Sequence, residues 1–279
     1  MVNKGLELSE SIVGEILSLY REIRSLSEKE ILYGSSDQSE RLFQKLDSLI
    51  TLDLGSNVVF NLLSKQELEP IFAHINRFRN LYTVRLETEY ANEIIASKLP
   101  WNVLEEFPFY RNYLMLVRTE YEGLGLKPGN RVYFLGSGPL PLTLIVFLKR
   151  YRIKGTGIEQ DSTRAKLSIK ALDKLGLSKD ITIINGNHFS LNAIDFMNSD
   201  TGARAVMIAA QAEPKKEILD HLLNVMPVGS KISCRIYEKG LMKLLNRNFL
   251  LDLPEGFEEY RIQPEPPTYN TVIFLEKKR

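Results

Sequence analysis

The sequence has little of what disulfide-built and metal-binding proteins carry. Its single cysteine, Cys234, sits inside an apolar run, so no intramolecular disulfide and no thiolate metal site is expected. Three histidines, His74, His188 and His221, have no ligand-like spacing, which argues against a protein-bound metal such as a catalytic zinc. Lysine and arginine total 36 against 35 aspartate and glutamate, a net charge of +1, so neither nucleic acid nor an anionic membrane is an expected partner. No apolar run approaches ~18 residues, and the start of the chain is polar rather than signal-like, which makes the cytoplasm the expected location. Internal repeats and low-complexity segments are also missing. What remains is the composition of an ordinary globular protein, 44% hydrophobic and 25% charged. The length of 279 residues allows one large domain or two modest ones.

The most informative stretch runs from Val132 to Thr143 and reads Val-Tyr-Phe-Leu-Gly-Ser-Gly-Pro-Leu-Pro-Leu-Thr. Its apolar start predicts a buried parallel strand. Gly136 and Gly138 predict a tight turn that tolerates positive φ and lets a ligand approach the backbone. Pro139 suits the first turn of a following helix, expected over 140–150. Strand, glycine turn and helix make a nucleotide site at the carboxyl end of a sheet. Pro141 stands where a dinucleotide loop would have its third glycine, and the two prolines lack N–H donors for phosphate. A ligand without phosphates, such as S-adenosylmethionine, fits better.

The first 125 residues read as helical. Ile12, Ile16, Leu19, Ile23 and Leu26 recur at helical spacing up to Gly34. Asp37 with Glu40 has the pattern of a capping box. Pro70 restarts a long helix expected from Ile71 to about Ser97, with Phe72, Ile75, Phe78, Tyr82 and Leu86 as its stripe. A further helix is expected from Asn112 to Gly123. The cluster Gly123-Leu-Gly-Leu-Lys-Pro-Gly129 marks a connection, placing a helical domain at 1–125 and a sheet domain at 126–279.

After it, apolar runs at 131–136, 155–159, 180–185, 204–210, 229–236, 257–263 and 270–276 alternate with helical stretches at 140–150, 162–175 and 213–225. That alternation predicts an α/β fold with a mostly parallel, Rossmann-like seven-stranded sheet. The last two runs are joined by Pro264-Glu-Pro-Pro-Thr-Tyr269, too short for a helix, so they should pair antiparallel. This is the architecture of many S-adenosylmethionine-dependent transferases.

The strand ends supply candidate ligand contacts. Glu159, 23 residues past Gly136, can accept hydrogen bonds from ribose hydroxyls or stand as a solvated acid. Asn187 can face an adenine amino group or serve as a turn residue beside Gly186. Ala209, Ala210 and Ala212 leave space beside a ligand, and Glu213 reads as an acid at a helix start with Pro214 behind it. The Asp/Asn-Pro-Pro-aromatic run that many amine and base methyltransferases carry here is missing. In the helical half, the residues alone leave Glu87 as a surface acid, with Tyr110 and Tyr113 as packing groups with solvated hydroxyls.

Gly136-Ser-Gly-Pro-Leu-Pro-Leu-Thr143 resembles a signature of the nicotianamine synthases. So do Leu99-Pro-Trp101, Phe107-Pro-Phe-Tyr-Arg-Asn-Tyr113, Ala209-Ala-Gln-Ala-Glu-Pro-Lys215 and the Arg235-Ile-Tyr237 strand, in order and spacing from about Ile71 to the end. The length resembles the short archaeal or bacterial form. The resemblance implies a helical domain on a Rossmann-like domain, with Gly136, Ser137, Gly138, Pro139, Glu159, Asn187 and Ala210 around S-adenosylmethionine. It implies transfer of the 3-amino-3-carboxypropyl group to an amino group, release of methylthioadenosine, and a nicotianamine-type metallophore as product. By motif position Glu87 and Tyr113 are the catalytic pair, with Glu89 a nearby competitor. Tyr110, Arg235 and Tyr237 are candidates for substrate binding. The expected partners are small molecules, the donor and an amino-acid acceptor, and a homodimer is compatible with the reading. Alternatives are a histidine-accepting opine-metallophore synthase, a methyltransferase, or a protein that binds the donor without consuming it.

Overall fold

The computed structural model describes residues 2–193, 195, 203–246, 253–263, 265 and 268–278. Pro264, Pro266 and Pro267 of the expected proline-rich connection lie outside the described residues. The chain divides into two compact units, Met1–Leu86 with Tyr237–Arg247, and Glu87–Ile236 with Asn248–Arg279.

The first unit is helical. It holds α1 (Val2–Ile23), α2 (Glu28–Tyr33), α3 (Ser36–Ile50), α4 (Ser56–Leu63) and the first part of α5 (Glu69–Ala96). Burying Ile12, Ile16, Leu19 and Ile23 on one face of α1 is what the spacing predicts. The helix does not run on to Gly34, because Ser27 stops it and caps α2. Glu30 N donates to Ser27 Oγ at 3.2 Å, and Ser27 N donates to Glu30 Oε2 at 2.7 Å. The capping box therefore sits here and not at Asp37 and Glu40. In α3 the N-cap is Ser35 without a side-chain bond, and Asp37 falls inside the first turn. There its charge still faces the positive helix end. Pro70 lies in the first turn of α5, where no N–H is needed.

The long helix α5 buries different faces in its two parts. Phe72, Ile75, Phe78 and Tyr82 are buried within the first unit, whereas Leu86 is only half-buried. Past Leu86 the buried positions are Glu87, Ala91 and Ile94, at steps of four and three. The change of face brings a carboxylate inward.

The second unit is built on a seven-stranded sheet. Its strands are β1 (Arg131–Leu135), β2 (Lys154–Glu159), β3 (Ile181–Asn185), β4 (Ala205–Ile208), β5 (Lys231–Ile236), β6 (Phe257–Ile262) and β7 (Thr271–Lys277). The spatial order is β3-β2-β1-β4-β5-β7-β6. The first five strands pair in parallel, and β7 lies antiparallel between β5 and β6. The helices α6 (Pro100–Glu105) and α7 (Tyr110–Leu124) precede β1, and the connecting helices are α8 (Leu142–Tyr151), α9 (Ser162–Leu175) and α10 (Lys215–Val225). Strand order reverses between β1 and β4, so their carboxyl ends open the crevice where ligands bind in such sheets. The apolar faces of the central strands and α10 form a continuous core that includes Leu135, Ile208, Ile232 and Leu222.

Two boundaries differ from the sequence expectation. Helix α8 starts at Leu142 and not at 140, leaving Gly136–Pro141 as a loop. Pro141 takes φ −78° and ψ 58°, outside helical space, so it caps the helix instead of joining it. The division between units falls inside α5 and not near residue 125. The reason is α7 (Tyr110–Leu124), which packs against α8, β5 and β7. A Cβ on Gly123 would stand 2.2 Å from the Phe274 ring, so the glycine there serves close helix-to-sheet approach as well as the chain's exit.

Candidate active site

The glycine turn is held by the sheet. Gly136 N and Ser137 N both donate to Ile158 O, at 3.0 and 3.2 Å. Gly136 and Gly138 take φ of +79° and +70°, the left-handed region that penalises a side chain. Crowding adds to that restriction. A Cβ on Gly136 would stand 3.2 Å from Cβ of Ala212 and 3.3 Å from Cβ of Ala209. The loop after β4 therefore closes directly on the turn after β1, at the point where strand order reverses.

Glu159, at the end of β2, is buried and ties the turn down. Its Oε2 accepts from Gly138 N at 2.9 Å, and its Oε1 accepts from Asp161 N at 3.0 Å. It is a buried acid and not a solvated one. Ser137 is buried too, and among the described residues its Oγ has no hydrogen-bond partner.

Glu87 reaches the same turn from α5. A Cβ on Gly138 would lie 2.5 Å from its Oε2. Burial pushes the Glu87 carboxyl up to about 8, and the neighbouring charge of Glu159 pushes in the same direction. Arg164 and a hydrogen bond with the Tyr113 side chain pull the other way and are outweighed. Glu89, the competitor in the same motif, is exposed.

Tyr113, on the first turn of α7, is half-buried. Its ring lies 6.5 Å from that of Phe107 and 5.8 Å from the Arg235 guanidinium carbon. Glu87, Tyr113, Gly138 and Glu159 thus converge at one end of the sheet. Two buried acids, a phenol and bare backbone meet there.

The other expected residues stand as follows. Pro139 is buried in the loop ahead of α8. Asn187 is exposed past β3 and caps a short 3-10 turn, its Oδ1 accepting from Phe189 N at 3.0 Å. Ala210 lies half-buried in the loop after β4. Tyr110 is buried at the start of α7, and the charges that act on its phenol are those of Glu105 and Arg150. Arg235 is buried with its fork engaged by Glu120. Tyr237 falls in the first unit, where its hydroxyl accepts from Arg79 Nη1 at 2.9 Å.

Two functional-looking residues went unread in the sequence. Glu120 is fully buried and pairs with Arg235. Its signal was available, since it follows Leu116 and Val117 on the apolar face of α7 where an acid has no bland reason to sit. Lys215 is 2% exposed. Its ammonium donates to the carbonyls of Ala212 at 2.7 Å, Ala210 at 2.8 Å and Ala209 at 3.2 Å, and reaches Glu213 at 3.3 Å. Glu213 also accepts from Lys215 N at 2.9 Å, the helix-start role expected for it. Among the described residues no group of histidine, cysteine, aspartate and glutamate is arranged to hold a metal ion. Nor is any described helix long and apolar enough to cross a membrane.

The chain is similar to known proteins. The family description "Nicotianamine synthase protein" matches residues 5–279. Nicotianamine synthase 2 of Arabidopsis thaliana is 24% identical over 95% of this chain and 83% of its own length. Nicotianamine synthase 1 of Hordeum vulgare is 29% identical over 69% of this chain, a match spanning 61% of the barley protein. Among solved structures, MtNAS in complex with MTA and tNA superposes with a TM-score of 0.84 at 25% identity, covering 97% of this chain and 98% of that one. A glutamine-substituted variant of MtNAS in complex with S-adenosylmethionine gives a TM-score of 0.81 at 23% identity, covering 95% of this chain and 98% of that one. With a match that runs from residue 5 to the last residue, the chain belongs to the nicotianamine synthase family.

Proposed function

We propose that this chain transfers the 3-amino-3-carboxypropyl group of S-adenosylmethionine to an amino group, releases methylthioadenosine, and by repetition builds a nicotianamine-type metal chelator. The observation that carries the reading is the pair Glu87 and Glu159. Both are buried at the same glycine turn, and among the described residues neither has an ion-pair partner. Two such carboxylates disfavour an anionic ligand and suit a cationic one. A sulfonium donor and the ammonium form of an amine acceptor are both cations.

The residues at the turn fit the donor. Gly136 and Gly138 carry no side chain between Ser137 and Pro139, and Ser137 Oγ is a buried polar atom without a hydrogen-bond partner among the described residues. Glu159 has acceptor capacity left for ribose hydroxyls after its two backbone bonds. Asn187 and Ala210 would flank the adenine. The donor brings an already activated γ-carbon, so the protein's task is alignment and a neutral amine.

Glu87 performs the proton work in this reading. In its charged form, which a neighbouring sulfonium favours, it binds the acceptor ammonium and takes a proton from it; the neutral amine then attacks the γ-carbon, and the nitrogen–carbon bond forms as the carbon–sulfur electron pair leaves with methylthioadenosine. A carboxyl pushed up to about 8 is a stronger base than an ordinary glutamate and nearer the α-amino range of about 7.7–8.0. Tyr113 fixes the orientation of the carboxylate through its hydroxyl.

The test is mass spectrometry of the purified chain incubated with S-adenosylmethionine, alone and with candidate amino acids including histidine. Methylthioadenosine with joined aminocarboxypropyl units is the expected outcome. S-adenosylhomocysteine would overturn the reading in favour of methyl transfer. One aminocarboxypropyl unit on histidine would move it to an opine-metallophore synthase, and an unconsumed but bound donor to a binding protein.

A further inference from the structure

Arg235 was expected to contact substrate, yet its guanidinium is already engaged. Its Nε donates to Glu120 Oε1 at 2.9 Å and its Nη2 to Glu120 Oε2 at 2.6 Å, a two-point contact. Ser233 Oγ adds a third bond to Glu120 at 3.2 Å. All three side chains are buried, Glu120 completely. A fully buried ion pair of this kind is a costly way to gain stability, because desolvating two charges offsets most of their attraction. Its position is more informative than its energy. The planar guanidinium lies against two rings, with its carbon 5.3 Å from the Phe134 centroid and 5.8 Å from the Tyr113 centroid. Phe107 stands on the same tyrosine ring at 6.5 Å. Phe134 belongs to β1, one residue before the strand's end at Leu135. The pair therefore links the sheet to the ring whose hydroxyl bonds Glu87.

We infer that Glu120 and Arg235 are positioning residues for Tyr113, which hold its ring so that the hydroxyl stays on Glu87. This deepens the proposed function and rests on it. Neither residue needs to touch substrate. Glu120 anchors the fork, the fork lies on the ring, and the ring carries the hydroxyl. Lysine cannot replace the arginine, because an ammonium is a compact charge without a planar face to lie on the phenol.

The test is a double-mutant cycle between Arg235→Lys and Tyr113→Phe, read by methylthioadenosine release. Wild-type release comes first, since its failure would remove the proposed function and not this inference alone. With Tyr113 present, Arg235→Lys is expected to lower kcat about tenfold or more, with the KM for S-adenosylmethionine within about twofold. In the Tyr113→Phe background the same change should cost less than about twofold, because the hydroxyl it positions is already gone. Additive losses in the two backgrounds would overturn the inference, as would a loss confined to donor KM. If Arg235→Lys does not fold, the paired change Glu120→Leu with Arg235→Met replaces both charges by apolar groups. The same non-additivity with Tyr113→Phe is then expected, and additivity would again overturn it.

Discussion

Glu87 stands directly over Gly138, so close that a methyl group on the glycine would lie 2.5 Å from Oε2 of the carboxylate. Gly138 N in turn donates to Glu159 Oε2. One residue without a side chain thus separates two buried acids borne on different elements. That separation sets the chemistry of the site, since the charge of Glu159 helps hold the proton on Glu87.

Replacing Glu87 by glutamine keeps the shape and removes the carboxyl that the proposed function uses as its base. Methylthioadenosine release should fall by roughly 10² to 10⁴, the usual worth of general base catalysis. Donor binding, measured by calorimetry, should survive. Tyr113→Phe should cost less, about tenfold, because the carboxylate remains and only its orientation is loosened. Activity of Glu87→Gln at the wild-type level would remove the acceptor-side assignment and leave the glycine turn standing.

The Glu87 proton ties stability to pH. Its carboxyl is held up to about 8 in the folded chain against an ordinary 4.5. Between those values the unfolded chain gives up a proton that the folded chain keeps, so stability falls as pH rises through this window. It is full below about 4.5 and levels off above about 8. Urea unfolding of Glu87→Gln should show a flatter dependence over that range, and an unchanged slope would count against burial of the proton.

Donor binding should act on the same proton. A sulfonium placed beside Glu87 favours its charged form. Titration calorimetry near neutral pH, in two buffers of different ionisation enthalpy, should register a release of up to about one proton per donor bound. Proton uptake on binding would contradict the charge argument.

Gly138→Ala tests the close approach itself. Its φ of +70° and the clash with Glu87 together should cost about 1–3 kcal/mol of stability. Donor affinity should drop further than stability does, because the turn must move to make room. Thermal unfolding alongside calorimetric titration separates the two effects.

Lys215 gives a prediction of another kind. Its ammonium gathers the carbonyls of Ala209, Ala210 and Ala212, the loop that packs on Gly136. In Lys215→Met those buried carbonyls lose their donor, at about 1–3 kcal/mol for each left without a partner. A lowered urea midpoint together with weaker donor binding is expected. Normal donor affinity in the folded variant would show that the loop keeps its shape without the lysine.

Local rules made much of this protein legible from its residues in order. Alternating apolar runs and helical stretches specify seven strands and their connections, because burial on a sheet and on a helix require different periods. Gly136 and Gly138 announce a turn, since positive φ excludes most other residues. The antiparallel edge followed from a connection too short for a helix. What periodicity could not decide was which polar groups face inward. Glu87 reads alone as a surface acid, and only the change of buried face along α5 carries it to Gly138. Arg235 reads as a substrate-binding candidate, and Glu120, brought from a distant helix, takes its Nε and Nη2. Nothing in the sequence marks Lys215 as buried, and the loop before it folds back around its ammonium. Pairings between residues far apart in the chain depend on how helices dock on the sheet, and no local spacing records that. The burial of two acids at one glycine turn, and with it the proton held on Glu87, was decided by tertiary packing alone.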